Sequence, residues 1–358
     1  MRCRTITGIS TITDDTPILG FEERPEPIPG TDEVLLRVSV CGVCHTEIDE
    51  IEGRTPPRRF PVIPGHQVVG RIVAVGPPSK PADEQQPALG SSSAAGGLIG
   101  TRVGVAWIGR SCEECSHCRA GQENLCAQFR ATGRDHDGGY AELMTAHRAF
   151  VHPIPETLQD CEAAPIMCAG AVGYRALRMT GITDGAVLGF TGFGASAHLV
   201  LQMARYLYPN ATLCVFARGN YARRLALHLG AAWAGSFSER PPARLDAVID
   251  TTPAWAPVLT ALEHLSPAGR LVINAIGKDD SIDKQRLLEL NYSRHLWEEK
   301  GVKSVANVTR FDVREALQLA GRMPLKPQVT PFTLDEADQA LRRIKRGGGT
   351  GAVALAIG

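Results

Sequence analysis

Hydrophobic and polar positions follow different rhythms in the two halves of the chain. Before about residue 165, short runs rich in β-branched residues predict strands, for example EVLLRVSV (33–40) and VVGRIVAVG (68–76). After it, strand-like apolar runs alternate with helical stretches such as SAHLVLQMARYL (196–207). The four runs are AVLGF (186–190), TLCVFA (212–217), DAVID (246–250) and RLVINA (270–275). Their spacing of roughly 25–35 residues is typical of βαβ units and a parallel sheet.

Two further segments complete this outline. The stretch PPSKPADEQQPALGSSSAAGGLIG (77–100) is rich in Pro, Ser, Ala and Gly, which predicts a solvated surface loop. From about residue 305 the pattern returns to mixed helix and strand and ends in the strand-like GAVALAIG (351–358). We therefore predict an α/β protein that combines a β-rich module with a parallel-sheet domain.

Composition narrows the function classes. Among 358 residues, Lys+Arg and Asp+Glu both number 38, so the zero net charge gives no attraction to nucleic acid or an anionic membrane. No stretch approaches the ~18 uninterrupted apolar residues of a membrane span, and the first residues lack the apolar core of a signal peptide. We expect a cytoplasmic protein whose ten cysteines serve metal binding or catalysis rather than disulfides.

A four-cysteine cluster gives the strongest chemical signal. The segment CEECSHCRAGQENLC (112–126) places Cys112, Cys115, Cys118 and Cys126 at spacings of three, three and eight. Four thiolates on one short loop can close a tetrahedral sphere around Zn²⁺ and leave no open position, which is typical of a structural site. An iron–sulfur site and reactive free thiols are the alternatives.

Three other residues could form a second, open metal site. Cys44 lies in CGVCHTEID, His66 follows a Pro-Gly turn in IPGHQVVG, and Cys168 lies in APIMCAG. Two thiolates and one imidazole would leave the fourth position free, as a catalytic zinc requires. Spacing alone leaves open the alternative that each is a core residue, because a small buried cysteine or a histidine beside apolar residues is common.

A glycine-rich loop follows the first strand of the βαβ region and opens a helix, which is the context of a dinucleotide site. In LGFTGFGASA, Gly189 would allow the tight turn, and Gly194 would allow close packing at the helix N-terminus, where pyrophosphate binds. Thr191 replaces the middle glycine and would displace or hydrogen-bond the cofactor, while Gly192 and Phe193 complete the loop.

The segment after the second strand bears on cofactor preference. NAD sites carry Asp or Glu there for the ribose hydroxyls, whereas ARGNYARR, which begins with Ala217 and Arg218, has no carboxylate. A cationic group at this place favours the 2′-phosphate of NADP. The alternative is that these arginines are a solvated helix start.

In this order, the motifs resemble those of zinc-dependent medium-chain alcohol dehydrogenases over nearly the whole chain. The resemblance includes CGVCHTE, PGHQVVG, the four-cysteine lobe, GGYAE (138–142), APIMCAG, the glycine loop and SVANVTR (304–310). It implies a GroES-like catalytic domain of residues 1–168 plus 305–358, a Rossmann domain of residues 169–304 inserted in it, and an active site in the cleft between them. Family members are usually dimeric or tetrameric, often through the Rossmann sheet edge, so a homodimer or homotetramer is expected.

The resemblance also implies roles for individual residues. The open three-residue site would hold a catalytic zinc and the four-cysteine lobe a structural one. The catalytic zinc would polarise the substrate oxygen while hydride passes to or from NADP(H) or NAD(H). Thr46 would take the alcohol proton, His45 would lie near the cofactor phosphates, and Asn307, in SVANVTR, would lie near the nicotinamide.

The chain departs from the family pattern at three further positions. Gln67 stands where the family usually has Glu beside the ligating His, Asp49 where many members carry the relay His, and Thr350 where an Arg often contacts the pyrophosphate. Proton exit would then run through the Asp49 carboxylate or through water. The uncharged Gln67 should leave zinc a stronger Lewis acid. Glu47, one methylene longer than the usual Asp, is expected to orient His66.

Two other functions stay open. A zinc-retaining NADPH reductase of the same fold, acting on an activated C=C or C=N bond, would suit the weakened proton relay. A non-catalytic zinc- or nucleotide-binding member is disfavoured by the near-complete ligand set and by Thr46. The leading interpretation is an NADP-favouring oxidoreductase that interconverts an alcohol and an aldehyde or ketone, with two zinc ions per chain.

Overall fold

The computed structural model describes residues 1–79, 97–325, 327–347 and 351–358. Most of the surface loop predicted at 77–100, as well as Thr350, lies outside the described residues. Within the described ranges, none of the helices has the length and apolar character needed to cross a membrane.

The secondary structure of the described residues alternates between sheets and helices along the chain. The strands are β1 (Arg2–Thr5), β2 (Gly20–Glu23), β3 (Glu33–Val43), β4 (Gln67–Val75), β5 (Arg102–Val105), β6 (Ile108–Arg110), β7 (Arg130–Ala131), β8 (Leu143–His147), β9 (Val151–Pro153), β10 (Val187–Thr191), β11 (Thr212–Phe216), β12 (Trp233–Gly235), β13 (Leu245–Asp250), β14 (Leu265–Ile273), β15 (Gly301–Ser304), β16 (Val329–Thr333) and β17 (Ala352–Ala356). The α-helices are α1 (His45–Ile51), α2 (Ser116–Arg119), α3 (Asp160–Ala163), α4 (Ala169–Thr180), α5 (Ala195–Leu207), α6 (Asn220–His228), α7 (Ala256–His264), α8 (Asp280–Asp283), α9 (Tyr292–His295), α10 (Arg310–Arg322) and α11 (Ala337–Lys345). Short 3-10 helices span Glu123–Leu125, Arg148–Phe150, Ala164–Met167, Lys284–Glu289 and Leu334–Glu336.

The chain divides into two compact units. One, called here the β-rich unit, comprises Met1–Cys168 and Asn307–Gly358, and the other, the parallel-sheet unit, comprises Ala169–Ala306. The second boundary therefore falls at 306/307, whereas the sequence suggested 304/305.

The β-rich unit is built on a sheet with the strand order β16-β17-β3-β4-β5-β9, in which β8 also pairs with β3. In β3, Val34, Leu36 and Val38 are at most 1% exposed, because alternate residues of a strand share one face and this face covers the core. β3 and β4 are antiparallel neighbours, and Gly42 near the end of β3 lies opposite Gln67 at the start of β4. This register brings the segment after β3 next to the segment before β4, although they are far apart in sequence.

The parallel-sheet unit has the strand order β12-β11-β10-β13-β14-β15, and each neighbouring pair is parallel. This is the doubly wound dinucleotide-binding order, which reverses between β10 and β13 and there leaves a crevice at the carboxyl ends of the strands. The four apolar runs predicted as strands overlap β10, β11, β13 and β14, and the predicted helix coincides with α5. The predicted α/β class with a doubly wound parallel sheet is confirmed.

Candidate metal centres and dinucleotide loop

Helix α1 positions one side of the first metal-type cluster. Cys44 is its N-cap residue: the Cys44 Sγ accepts the backbone N–H of Thr46 at 3.3 Å, and the Cys44 N–H donates to Glu47 Oε2 at 2.8 Å. This capping box satisfies two backbone donors of the first turn and fixes the direction of the Cys44 side chain.

His66 lies on the other side of this cluster. It follows Gly65, whose φ of +99° favours glycine and where an added Cβ would lie 2.8 Å from Cys41 Sγ. His66 is 0% exposed, and its Nδ1 lies 2.8 Å from Glu47 Oε1. The predicted contact between Glu47 and His66 is confirmed. With one oxygen on the Cys44 amide and the other beside the imidazole, Glu47 joins two candidate ligand residues.

Cys168 completes this cluster. One donor atom from each of Cys44, His66 and Cys168 lies within 4.8 Å of the other two, and Cys44 Sγ is 3.6 Å from His66 Nε2. Zinc bonds of about 2.0–2.3 Å place tetrahedral ligands about 3.5–3.8 Å apart. The donor set and its spacing therefore fit a zinc ion with a fourth position left for another ligand.

The electrostatics of this cluster favour a bound cation. A hydrogen bond with Cys168 and burial raise the pKa of Cys44 well above its usual range. Burial lowers the pKa of His66, but attraction to the Glu47 carboxylate and to Cys44 raises it well above its usual value. Thiolates and a carboxylate crowded into a buried place repel one another, and a divalent cation would relieve that repulsion.

Glu50 lies one turn after Glu47 on α1 and was not among the residues predicted from the sequence. Glu50 is 0% exposed, its Oε2 has no hydrogen-bond partner among the described residues, and its Oε1 accepts the Trp107 indole N–H at 3.4 Å. Burial, together with repulsion from Glu47, raises the pKa of Glu50 to about 8. The segment HTEIDEI contains no signal for this burial, since glutamate is usually solvent-exposed.

The remaining predicted catalytic residues lie near this cluster along the chain. Thr46 is 8% exposed in the first turn of α1. Asp49 is 7% exposed, and its Oδ1 accepts Arg54 Nε at 2.5 Å. Gln67 is 3% exposed at the start of β4, whereas His45, predicted near the cofactor phosphates, is exposed at the start of α1.

The four cysteines of the predicted structural site also converge. Their Sγ atoms lie within 4.8 Å of one another, with Cys112 3.5 Å from Cys126 and 3.8 Å from Cys118. Backbone N–H groups of Glu114 and Cys115 donate to the Cys112 sulfur and lower its pKa to about 6, which favours the thiolate form that binds metal. These separations are close to the ~3.8 Å edge of a zinc–thiolate tetrahedron, so the lobe fits a zinc ion.

An arginine outside the lobe is bonded to it. Arg310, the first residue of α10, donates its backbone N–H to Glu123 Oε1 at 2.8 Å and its guanidinium to Glu123 at 3.3 Å and Glu113 at 2.5 Å. Its guanidinium also lies 4.8 Å from the centre of the Phe150 ring. The sequence contained no signal for this contact, because Arg310 and Glu123 are 187 residues apart.

The glycine loop lies at the carboxyl end of β10. Gly192 makes the turn with a φ of +83°, whereas Gly189, predicted to make it, lies inside β10. A Cβ on Gly189 would lie 2.7 Å from Leu245 Cδ1, so this glycine instead permits close packing within the sheet. Phe193 is 6% exposed, and Gly194 is exposed as the N-cap of α5, where the backbone N–H groups can receive an anion.

Thr191 does not face the loop as predicted. Its side chain is 0% exposed, and its hydroxyl donates to Asp250 Oδ1 at 2.7 Å. The hydroxyl expected to meet the cofactor is thus engaged inside the sheet, because a buried donor takes the acceptor that the neighbouring strand provides.

Three more predicted cofactor residues differ in exposure. Ala217 is 2% exposed directly after β11, whereas Arg218 beside it is exposed. Asn307 has a φ of +61°, and its Nδ2 is buried without a hydrogen-bond partner among the described residues. A buried amide group that lacks a protein partner is a candidate for a ligand contact.

Known proteins resemble this chain over almost its full length. Residues 30–156 match the family model described as the alcohol dehydrogenase GroES-like domain. The probable alcohol dehydrogenase AdhA of Mycobacterium tuberculosis is 43% identical over 333 residues, which cover 92% of this chain and 90% of that protein. An alcohol dehydrogenase of Geobacillus stearothermophilus is 30% identical over 344 residues, or 94% of each. Among solved structures, CAD from Helicobacter pylori complexed with NADP(H) has a TM-score of 0.80 at 21% identity and covers 99% of both chains.

The fold and the site define a class of protein: a medium-chain dehydrogenase with a GroES-like unit and a doubly wound parallel sheet. Within that class, the identities to the curated relatives show that the chain belongs to the zinc-dependent medium-chain alcohol dehydrogenase family, as the motifs predicted. The activity of the family is oxidoreduction between alcohols and aldehydes or ketones.

Proposed function

We propose that this chain is an alcohol dehydrogenase that requires zinc, binds one catalytic and one structural zinc ion, and favours NADP(H) over NAD(H). The observation that carries the proposal is the convergence of Cys44, His66 and Cys168 within 4.8 Å. Bound there, zinc would supply Lewis acidity toward the substrate oxygen. The four-thiol lobe supports a second zinc with a structural role, because its ligand set is complete.

Two side chains of α1 are proposed to handle the proton. Thr46 is two residues after Cys44, in the first turn of α1, and its hydroxyl can accept and pass on a proton at neutral pH. Asp49 stands where relatives carry a histidine, and its carboxylate is paired with Arg54. Because the Asp49 carboxylate is already engaged by the Arg54 guanidinium, we infer that Asp49 transfers protons to water less readily than that histidine.

The parallel-sheet unit is proposed to bind the dinucleotide at its switch point. The turn at Gly192 and the exposed N-terminus of α5 at Gly194 support a pyrophosphate site. Exposed Arg218 after β11 supports a preference for the 2′-phosphate, and the Helicobacter pylori structure of similar fold holds NADP(H). His45 is assigned to the phosphates and Asn307, with its unpaired amide, to the nicotinamide end.

We infer a homodimer or homotetramer that assembles through the edge of the parallel sheet. Edge strand β15 and the segment that precedes it in sequence expose large apolar side chains: Leu288 is 90%, Trp297 65% and Val302 47% exposed. Such an edge favours pairing with a second chain. Light scattering of the wild type and of Trp297→Glu measures this, and an unchanged molar mass in the variant would remove the support.

The test of the catalytic proposal measures zinc per chain and then turnover. About two zinc ions per chain are expected from the two ligand sets. NADP(H)- and NAD(H)-dependent rates are compared on a panel of alcohols, aldehydes, activated enals and imines. Turnover of the enals or imines alone would favour the reductase alternative, and no turnover with zinc fully bound would overturn the proposal.

A charge reversal tests the cofactor preference. Arg218→Asp should lower the NADP(H)-to-NAD(H) ratio of kcat/KM by about tenfold or more, since it replaces a candidate phosphate partner by a carboxylate suited to ribose hydroxyls. Arg244→Asp is the control, because Arg244 directly precedes β13 and so lies at the amino ends of the parallel strands, whereas Arg218 lies at their carboxyl ends. Arg244 pairs with Glu298. An unchanged ratio in Arg218→Asp would refute the NADP preference.

A further inference from the structure

An ion pair lies buried at the carboxyl edge of the parallel sheet. Asp250 is the last residue of β13 and is 0% exposed, and Lys278, whose side chain is 7% exposed, donates its ammonium group to the Asp250 carboxylate. Removing two charges from water is costly, so a buried pair is weak evidence for stability alone. Its place beside the glycine loop suggests a different reason for it.

The pair is fully engaged with the protein. Lys278 Nζ also donates to the carbonyl oxygens of Thr252 at 2.8 Å and Ala254 at 3.0 Å. Asp250 Oδ1 accepts the hydroxyls of Thr191 and Thr252, both at 2.7 Å. Three ammonium donors and the carboxylate thus have protein partners, so neither residue is available to hold a ligand directly. They instead fix the residues around them.

Thr191, whose hydroxyl is bonded to Asp250, directly precedes the turn at Gly192. Thr191 ends β10, and its carbonyl oxygen accepts both the backbone N–H and the hydroxyl of Thr251, at 2.9 and 3.1 Å. Gly192 packs on the same segment, because an added Cβ there would lie 2.8 Å from Thr251 Oγ1 and 3.0 Å from Thr252 Cγ2. The turn therefore rests on two consecutive threonines, and the second, Thr252, bonds to both members of the ion pair.

A second connection reaches the first turn of α5. The backbone N–H of Asn274 donates to the Asp250 carbonyl oxygen at 2.7 Å, and Asn274 Nδ2 donates to Ser196 Oγ at 3.1 Å. Ser196 in turn donates to the carbonyl oxygen of Ala169 at 2.9 Å. The residue that carries the buried carboxylate thus lies at the junction of β10, β13, β14 and the helix N-terminus.

We propose that Asp250 and Lys278 are positioning residues for dinucleotide binding. By tying the ends of β10 and β13 to the segment after β14, they hold the Gly192 turn and the N-terminus of α5 in the arrangement that a pyrophosphate requires. This inference rests on the proposed dinucleotide-binding function and adds to it two residues that do not touch the cofactor.

The experiment uses the full zinc-loaded chain and measures NADPH and NADH dissociation constants by nicotinamide fluorescence, well below the Tm of each variant. Lys278→Met removes the ammonium group, and Thr252→Val removes one hydroxyl from Asp250 with little change in volume. Lys284→Met is the matched control, because Lys284 forms an exposed pair with Asp280 in the same unit. Amide hydrogen exchange over residues 189–196, without cofactor, reports on the loop itself.

Lys278→Met is expected to weaken cofactor binding by about tenfold to a hundredfold, as small misplacements at a site do. Thr252→Val should follow in the same direction with a smaller loss, and both should accelerate exchange in the loop while zinc content stays constant. If Lys278→Met does not fold, Thr252→Val alone decides. A lower Tm with cofactor affinity and loop exchange equal to those of the wild type would overturn the inference and leave a purely structural pair. A wild type that binds neither cofactor would instead overturn the proposed function.

Discussion

Replacing Arg310 by Met should loosen the four-cysteine lobe without disturbing the rest of its unit. Arg310 donates its guanidinium to Glu113 and Glu123, and its backbone N–H to Glu123 as well. The substitution keeps the backbone bond and much of the apolar stem but removes the charge. Glu123, whose side chain is 5% exposed, then loses its guanidinium partner.

The size of the effect follows from the two contacts. Breaking a fully buried ion pair costs about 3–5 kcal/mol. The Arg310 side chain is 32% exposed and its backbone bond to Glu123 persists, so about 2–3 kcal/mol is a better figure for this contact. The Glu113 contact, with that side chain 46% exposed, adds less than about 1 kcal/mol. A total near 3 kcal/mol corresponds to about a hundredfold increase in local opening, at 1.4 kcal/mol for each factor of ten.

Two measurements report local opening of the lobe. Hydrogen exchange of the slow amides in residues 112–126 should accelerate by about a hundredfold, and zinc transfer to a chromogenic chelator should become faster. Arg314→Met is the control, because Arg314 lies one turn further along α10, where its 55% exposed side chain contacts Glu315 and the Phe311 ring of the same helix. Exchange and zinc release equal to those of the control variant would refute the argument that Arg310 holds the lobe closed.

Three further changes test the first metal cluster and the turn before His66. Burial raises the pKa of Glu50 from 4.5 to about 8. Between these two pH values the folded state holds a proton that the unfolded state releases, so the protein loses stability as the pH rises from 4.5 to about 8. Glu50→Gln mimics the protonated form, so its stability should rise relative to that of the wild type between pH 5 and pH 9, by up to about 4 kcal/mol. The difference in Tm between the two proteins measures this gain. A difference that does not change with pH would contradict the prediction. Gly65→Ala should lower the free energy of unfolding by about 3 kcal/mol or more, because position 65 combines a φ of +99° with a close approach to Cys41. The control Gly185→Ala, where φ is +89° and the space is open, should lose about 1 kcal/mol. Equal losses of stability in thermal denaturation would show that the structure relieves the contact with Cys41. Gln67→Glu should raise the kinetic pKa of alcohol oxidation by about one unit, because added negative charge opposes ionisation of the substrate, and an unshifted pH–rate profile would count against this reasoning.

Much of the fold was predictable because buried parallel strands have continuous apolar sequences. AVLGF and DAVID therefore identified β10 and β13 without further information. The start of β14 was predicted too late, since the strand begins at Leu265 and includes Pro267 and Gly269, residues that argue against a strand when they are read locally. The strand is defined by pairing of Leu265 and of Arg270–Ile273 with β13, with a register shift between the two, and such pairing is not visible in a single sequence.

The candidate site was predictable only where its residues belong to short sequence motifs. The cysteine lobe is one short segment, and the open cluster was found through the order of motifs around Cys44, His66 and Cys168. Residues that act through distant partners gave no such signal. Arg310 meets Glu123 across 187 residues, and Lys278 meets Asp250 across 28, so their pairing depends on how strands and helices stack.

The charges near the first metal cluster combine differently in this chain than in the family pattern. Two thiolates would neutralise a bound Zn²⁺, and Glu47 adds one carboxylate against His66. Gln67, at the start of β4, adds no second charge. A metal with less negative charge behind it polarises a substrate oxygen more strongly. The uncharged amide at position 67 therefore favours a stronger Lewis acid at a bound zinc than a glutamate there would.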